Sequence, residues 1–246
     1  MKTTAIKGRS ELKYYITPEM VTGVLDFARA HIEHDEYALR MPNYRYTVRS
    51  LYYDSPRLDF YWEKIDGLKV RRKLRIRGYN TLNEKSVAFL EIKRRYGAAV
   101  VKERAKYDYA EIVKIMSSPA NIWLTYEQSN NGSMVLGKWL DNILRWNLEP
   151  TVVIAYEREA YVGRYEDDNQ VRLTIDYDVR ARVTESVEEL FAEDNFTFLT
   201  GRYYVLELKF NNYMPKWMRE LVMEMNLQQR SISKYCMGIY EGYFNR

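Results

Sequence analysis

Between Leu68 and Tyr79 the chain reads Leu-Lys-Val-Arg-Arg-Lys-Leu-Arg-Ile-Arg-Gly-Tyr. Side chains of a strand alternate between two faces, so Lys69, Arg71, Lys73, Arg75 and Arg77 fall on one side. Val70, Leu74 and Ile76 fall on the other, with Arg72 as the exception. One such strand could simply turn its charged face to water. The constraint comes from repetition. Phe89, Glu91, Lys93 and Arg95 oppose Leu90 and Ile92, and Lys102, Arg104 and Lys106 align. Arg172, Thr174 and Asp176 oppose Val171, Leu173 and Ile175, while Glu207 and Lys209 oppose Leu206, Leu208 and Phe210. Glu11, Lys13 and Tyr15 share a face, as do Tyr156 and Arg158. Like charges about 4 Å apart repel by roughly 4 kcal/mol at an effective dielectric near 20. The carboxylates on these faces, Glu11, Glu91, Asp176 and Glu207, are too few to neutralise them. A sheet closing around this face needs a bound polyanion, water and counterions, or neutralised lysines.

The pattern predicts about eight strands, near 11–16, 46–53, 68–79, 86–96, 99–109, 150–163, 170–183 and 203–211. Sequential hairpins favour antiparallel pairing, and eight strands suffice to close a barrel. Thr17-Pro18-Glu19 reads as a helix start, with a helix running to about Ile32. A short helix after Asp54-Ser55-Pro56 carries Leu58, Tyr61 and Trp62. Further helices are predicted at 109–117 and 133–145, on either side of a Ser129-Asn130-Asn131-Gly132-Ser133 loop, and at 215–226 and 231–243. The reading is an α+β fold: one domain over 1–246, an eight-stranded antiparallel β-barrel with flanking and C-terminal helices. The last helix should border one end of the barrel with Lys234 facing inward.

Composition narrows the function. Hydrophobic residues make up 46% of the chain, enough for a core, and a net charge of +4 does not by itself imply a polyanion partner. The single Cys236, read as a small buried hydrophobe, excludes an intrachain disulfide and a cysteine-based zinc site. A reducing, cytoplasmic setting fits. Residues 1–13 hold no apolar signal segment, and no run of about 18 apolar residues occurs, so no membrane span is expected. The two histidines, His31 and His34, fall at the polar end of the first predicted helix, a solvated setting that leaves little room for histidine catalysis. The five tryptophans, Trp62, Trp123, Trp139, Trp146 and Trp217, are expected in core or helix packing. A barrel lined with arginine and lysine is a pore for phosphates, which arginine holds bidentately and lysine as a point charge. Its few carboxylates suit Mg2+ or Mn2+ shared with phosphate oxygens. Nucleic acid is not expected, because no aromatic side chain interleaves the cations between Lys69 and Arg77.

From about Arg9 to Tyr240 an ordered series of short motifs resembles the VTC-type polyphosphate polymerase domain of the triphosphate tunnel metalloenzymes, the CYTH-like superfamily. The carriers are Glu11-x-Lys13-Tyr14, Ser50-Leu51-Tyr52-Tyr53-Asp54, Leu74-Arg75-Ile76-Arg77, Glu91-x-Lys93-Arg94 and Lys102-x-Arg104. They continue with Tyr156-x-Arg158-x-Ala160, Val171-Arg172-Leu173-Thr174-Ile175-Asp176, Leu206-Glu207-x-Lys209 and Ser231-x-Ser233-Lys234-Tyr235. The resemblance implies a tunnel that binds ATP with a divalent metal and passes its terminal phosphoryl group to a polyphosphate chain. By matched position, Lys13, Arg75, Arg77, Lys93, Lys102, Arg158, Arg172 and Lys234 would grip phosphates, Ser233 would hydrogen-bond one, and Glu207 would hold the metal. Arg104, Glu11, Glu91, Asp176 and Lys209 are further candidates by the face they share, the carboxylates as metal ligands. Arg75, Arg77, Arg158, Arg172 and Lys13 are the expected catalytic set.

Related tunnel hydrolases carry Glu-x-Glu-x-Lys in the first strand, where this chain reads Arg9-Ser10-Glu11-Leu12-Lys13, and some carry Glu-x-Glu where it has Glu207-Leu208-Lys209. Fewer carboxylates favour transfer to phosphate over hydrolysis. A triphosphatase and a non-catalytic sensor of polyphosphate or nucleotides remain the alternatives. Eukaryotic relatives work within membrane complexes, so any coupling to translocation would need a separate partner.

Overall fold

The computed structural model describes residues 4–5, 9–97, 99–128, 134–165 and 170–245. Ala98 and the predicted loop at 129–133 lie outside the described residues. Eight long strands form the frame: β1 (Arg9–Ile16), β2 (Arg45–Asp54), β3 (Val70–Tyr79), β4 (Val87–Tyr96), β5 (Ala99–Asp108), β6 (Glu149–Gly163), β7 (Arg172–Val183) and β8 (Tyr204–Asn211). Each lies within about two residues of its predicted bounds; Lys69 falls just ahead of β3. Short strands at Thr4–Ala5, Ile32–His34 and Thr197–Phe198 complete one antiparallel sheet. Its order is Thr4–Ala5, β5, β4, β3, β2, β6, β7, β8, β1.

Among the described residues seven α-helices accompany the sheet: α1 (Pro18–Ala28), α2 (Asp59–Ile65), α3 (Tyr109–Met116), α4 (Pro119–Gln128), α5 (Val135–Trp146), α6 (Lys216–Glu224) and α7 (Lys234–Ile239). In α5, Leu136, Trp139, Leu140 and Ile143 recur at helical spacing and are all buried. They join Leu74, Ile76, Leu90 and Ile92, the apolar faces of β3 and β4, in one core cluster. A second cluster sets α1 and α6 against β1, β7 and β8, and a third sets α7 against β6. The first two clusters lie on the outer face of the sheet, beneath the helices. The third seats α7 on the opposite face, which its apolar residues share with the charged ones.

Three expectations need correction, and closure of the predicted barrel is not shown: β1 and β5 do not pair with each other among the described residues, although Thr4–Ala5, just ahead of β1, pairs with β5. Curvature brings the edges together instead: Glu11 and Lys13 of β1 line the same cavity as Val100 of β5. The first helix ends at Ala28 rather than near Ile32, because Ile32–His34 pairs with Tyr161–Gly163 of β6. The histidines are consequently not solvated helix-end residues: His34 stacks between Tyr44 and Tyr161, with centroids 4.1 and 4.4 Å away, and His31 stacks on Trp217 at 5.0 Å. Among the tryptophans, Trp139 and Trp217 are buried, but Trp62, Trp123 and Trp146 are exposed.

Candidate functional site

On the concave face the sheet encloses a cavity of about 310 Å³, bordered at one end by α7. Eleven lysines and arginines line it against two glutamates, Glu11 and Glu207. The cross-strand register explains the concentration. Arg75 stands opposite Glu91, Lys73 opposite Lys93, Glu91 opposite Arg104, and Lys93 opposite Lys102. On the far side Glu207 stands opposite Lys13, and Lys209 opposite both Glu11 and Arg172. Directly opposed residues share a face, so period-two cations on separate strands become one lining.

Each carboxylate serves several cations. Arg75 donates through Nε to Glu91 Oε2 at 2.7 Å, and Lys102 Nζ and Arg104 Nε approach Glu91 Oε1 at 2.9 and 3.2 Å. Glu207 meets Lys209 at 2.6 Å, Lys234 at 3.0 Å, Lys13 at 3.3 Å and Arg158 at 3.6 Å. Arg158 donates a bidentate pair to Asp176 at 2.6 and 2.7 Å, and Lys234 donates to the same carboxylate at 2.5 Å. Burial pushes Glu11 up, yet Lys209 and Lys13 outweigh it and hold this carboxyl at about 2. Burial likewise opposes ionisation of Glu207, and Lys209, Lys234 and Lys13 drive it well below the usual carboxylate range.

Lys73 has no carboxylate partner among the described residues. Burial lowers Lys73 to about 8, and among the described residues its Nζ donates only to Ser233 Oγ, at 3.1 Å. Burial also lowers Lys102 to about 8 against the pull of Glu91. Tyr52 accepts from Arg75 Nη1 at 2.8 Å; burial raises this phenol, but Arg75, Lys73 and Arg77 outweigh it and bring it to about 8. Arg77 donates through Nε to Ser50 Oγ at 3.2 Å.

Of the residues singled out from sequence, Glu11, Lys13, Arg75, Arg77, Lys93, Arg158, Glu207, Lys209, Ser233 and Lys234 line the cavity. Glu91, Lys102, Arg104 and Asp176 adjoin it through the ion pairs above. Arg172 does not line it: its Nη2 donates to Asp35 Oδ2 at 2.7 Å, and the buried Asp35 also accepts from the backbone of Tyr37 and Ala38. Sequence reasoning left Lys73, Arg71 and Arg95 out of the site, although their period-two face contained them. Tyr52 and Tyr156, also in the lining, gave only a motif position and a face as signals.

Among the described residues no group of three or more His, Cys, Asp or Glu converges as a metal cage. Glu11 and Glu207 are linked by Lys13, at 2.9 and 3.3 Å, and offer two carboxylates on adjacent strands. That donor set fits a hard divalent cation only when phosphate oxygens complete its shell.

The VTC domain family matches residues 8–241. The chain belongs to that family. A search of curated protein sequences finds no match. Among solved structures this VTC domain is similar to HpAC1 from Hippeastrum, described as revealing a dominant triphosphatase activity. That match has 13% identity and a TM-score of 0.50 over 96% of this chain and 95% of that one. PH1819 from Pyrococcus horikoshii OT3 is 15% identical, with a TM-score of 0.47 over 95% and 99% of the two chains. A candidate adenylate cyclase of Bacillus halodurans is 11% identical, with a TM-score of 0.47 over 97% and 100%. At these identities the likeness concerns the fold. No helix among the described residues of this VTC domain is long and apolar enough to cross a membrane.

Proposed function

We propose that this VTC domain is an ATP-dependent polyphosphate polymerase: the triphosphate of ATP enters the cationic cavity and its terminal phosphoryl group passes to a polyphosphate acceptor. The observation that carries the reading is the lining itself, eleven cations against two glutamates. A loose phosphoryl-transfer transition state needs alignment and charge stabilisation rather than a side-chain nucleophile. Arg75 and Arg77 present guanidiniums to the cavity, Lys73, Lys93 and Lys13 add point charges, and Ser233 offers a hydroxyl near α7. An ion such as Mg2+ or Mn2+ arriving with the triphosphate would be met by Glu207 and Glu11 and would neutralise charge across the phosphate oxygens.

The carboxylates favour transfer over hydrolysis. Glu11 at about 2 and Glu207, well below the usual range, are too weakly basic at neutral pH to activate water. An acceptor phosphate is already anionic and needs no such base. The triphosphatase reading is the rival, favoured by the fold shared with HpAC1.

Phosphorus NMR of the protein with ATP and Mg2+ separates the cases. Growth of internal-phosphate signal with ADP is the expected result. ADP with orthophosphate alone selects a triphosphatase, and unchanged ATP with calorimetric binding selects a sensor. Removing a preorganised donor to developing charge typically costs about 100-fold in turnover, so Arg75→Ala should lose about that much while keeping its circular dichroism spectrum. A collapsed spectrum would mark Arg75 as structural instead.

A further inference from the structure

Tyr52 lines the cationic cavity; its neighbour Tyr53 points to the other face of the sheet and lines a second cavity of about 470 Å³. This one lies among the ends of α3 and α5, the start of α4, the start of β6 and the 185–188 loop. Its chemistry is inverted. Among the described residues no lysine or arginine lines it, although the chain carries 38, while Glu149, Glu185 and Glu188 do. None of the three has an ion-pair partner among the described residues. Two helices also end here: Ser117 caps the C-terminus of α3, and Asn147, with φ +47°, caps that of α5. Helix C-termini carry partial negative charge, which adds to the carboxylates.

The walls between these groups are apolar, with Ile122, Ile143, Leu148 and Pro150 among them. Tyr53 is 3% exposed, and among the described residues its hydroxyl has no hydrogen-bond partner. A buried hydroxyl left unpaired costs free energy that a ligand can recover. Glu149 lines the same cavity, from the strand that pairs with the one carrying Tyr53. The cavity thus offers an acceptor at Tyr53, an apolar middle, and unpaired carboxylates at an exposed mouth.

We propose that this second cavity binds an aliphatic diammonium ion. One ammonium donates to the Tyr53 hydroxyl, the hydrocarbon spacer lies along Ile122, Ile143 and Leu148, and the other ammonium sits between Glu185 and Glu188. The site is separate from the phosphate cavity and does not depend on the reaction proposed there.

Calorimetry of the full chain with hexane-1,6-diammonium, hexylammonium and 1-hexanol at physiological ionic strength tests it. The diammonium should bind saturably and more tightly than hexylammonium, with hexanol weakest. Exposed ion pairs are individually modest, so the double variant Glu185→Gln/Glu188→Gln should weaken diammonium binding by about tenfold. Both glutamates are exposed, so that variant should fold and turn over ATP as the parent does. Ile122→Trp, which fills the cavity without touching charge, should abolish binding. No saturable binding, equal affinity for the diammonium and hexanol, or unchanged affinity in either variant would overturn the assignment.

Discussion

At the scale of single residues, the cationic cavity holds groups poised near neutrality. Lys73 and Lys102 sit at about 8, lowered by burial, and Tyr52 sits at about 8 because neighbouring cations outweigh burial. As pH rises through 8 the lysines lose positive charge and the phenol gains negative charge. All three changes make the cavity more negative. Triphosphate should therefore bind at least about tenfold more weakly at pH 9.5 than at pH 7, because a charge in a partly desolvated site is worth more than a kilocalorie. The ligand-free protein should respond with the opposite sign. Between about 8 and the unfolded values of 10.5 for lysine and 10 for tyrosine, these groups hold fewer protons folded than unfolded, so their contribution to stability rises with pH. Calorimetric titrations and urea midpoints across this range, at fixed ionic strength, would show both trends. A flat affinity would mean that the lysines keep their protons.

At the scale of elements, α7 decides the shape of one end of the cavity. Ser233 opens the helix and accepts from Lys73, Lys234 reaches Asp176 and Glu207, and Tyr235 donates to Asp54, whose carboxylate also caps α2. The helix lies close on β6 and β7 because Gly238 leaves room: a Cβ there would stand 2.5 Å from Ile154 Cδ1 and 3.1 Å from Ala181 Cβ. Gly238→Val should cost about 1–3 kcal/mol by overpacking. Because the same helix carries Ser233 and Lys234, affinity for triphosphate should fall as well, although residue 238 does not line the cavity. A drop in urea stability with unchanged affinity would show that α7 shifts without disturbing the site. Strands of this kind were legible in the sequence, since period-two alternation is a local signal. Helix α4 was not, because Trp123 and Leu124 are exposed and its apolar residues mark no clear face. The cationic face was legible too, but its neutralisation was not. That Glu207 serves Lys13 follows from β8 pairing with β1, two strands nearly two hundred residues apart. The ion pair of Arg172 was hidden for the same reason, since its partner Asp35 lies 137 residues away.

At the scale of the whole molecule, most apolar packing lies outside the sheet, and charge lies within its curve beside the apolar seat of α7. Such a fold carries repulsion that Glu11, Glu91, Asp176 and Glu207 relieve only in part until a polyanion arrives, because net +4 hides a cavity lined by eleven cations and two glutamates. A ligand that binds only the folded state stabilises it by mass action, about 2.7 kcal/mol at a hundredfold excess over Kd. For a chain of this size each kilocalorie raises Tm by roughly 2–4 °C, so saturating triphosphate should raise it by roughly 5–10 °C. The binding is electrostatic and partly open to solvent, so the rise should shrink at high salt as the Debye length falls from about 10 Å at 0.1 M to about 3 Å at 1 M. Longer polyphosphate should raise Tm further at equal phosphate concentration, since one chain engages Lys93 and Arg95 at one rim together with Arg77 deeper in the cavity. Scanning calorimetry with orthophosphate, triphosphate and polyphosphate at two salt concentrations would measure this. Equal shifts for all three ligands would mean that the cavity reads phosphate charge without chain length, and would leave the elongation of a polymer without a structural basis here.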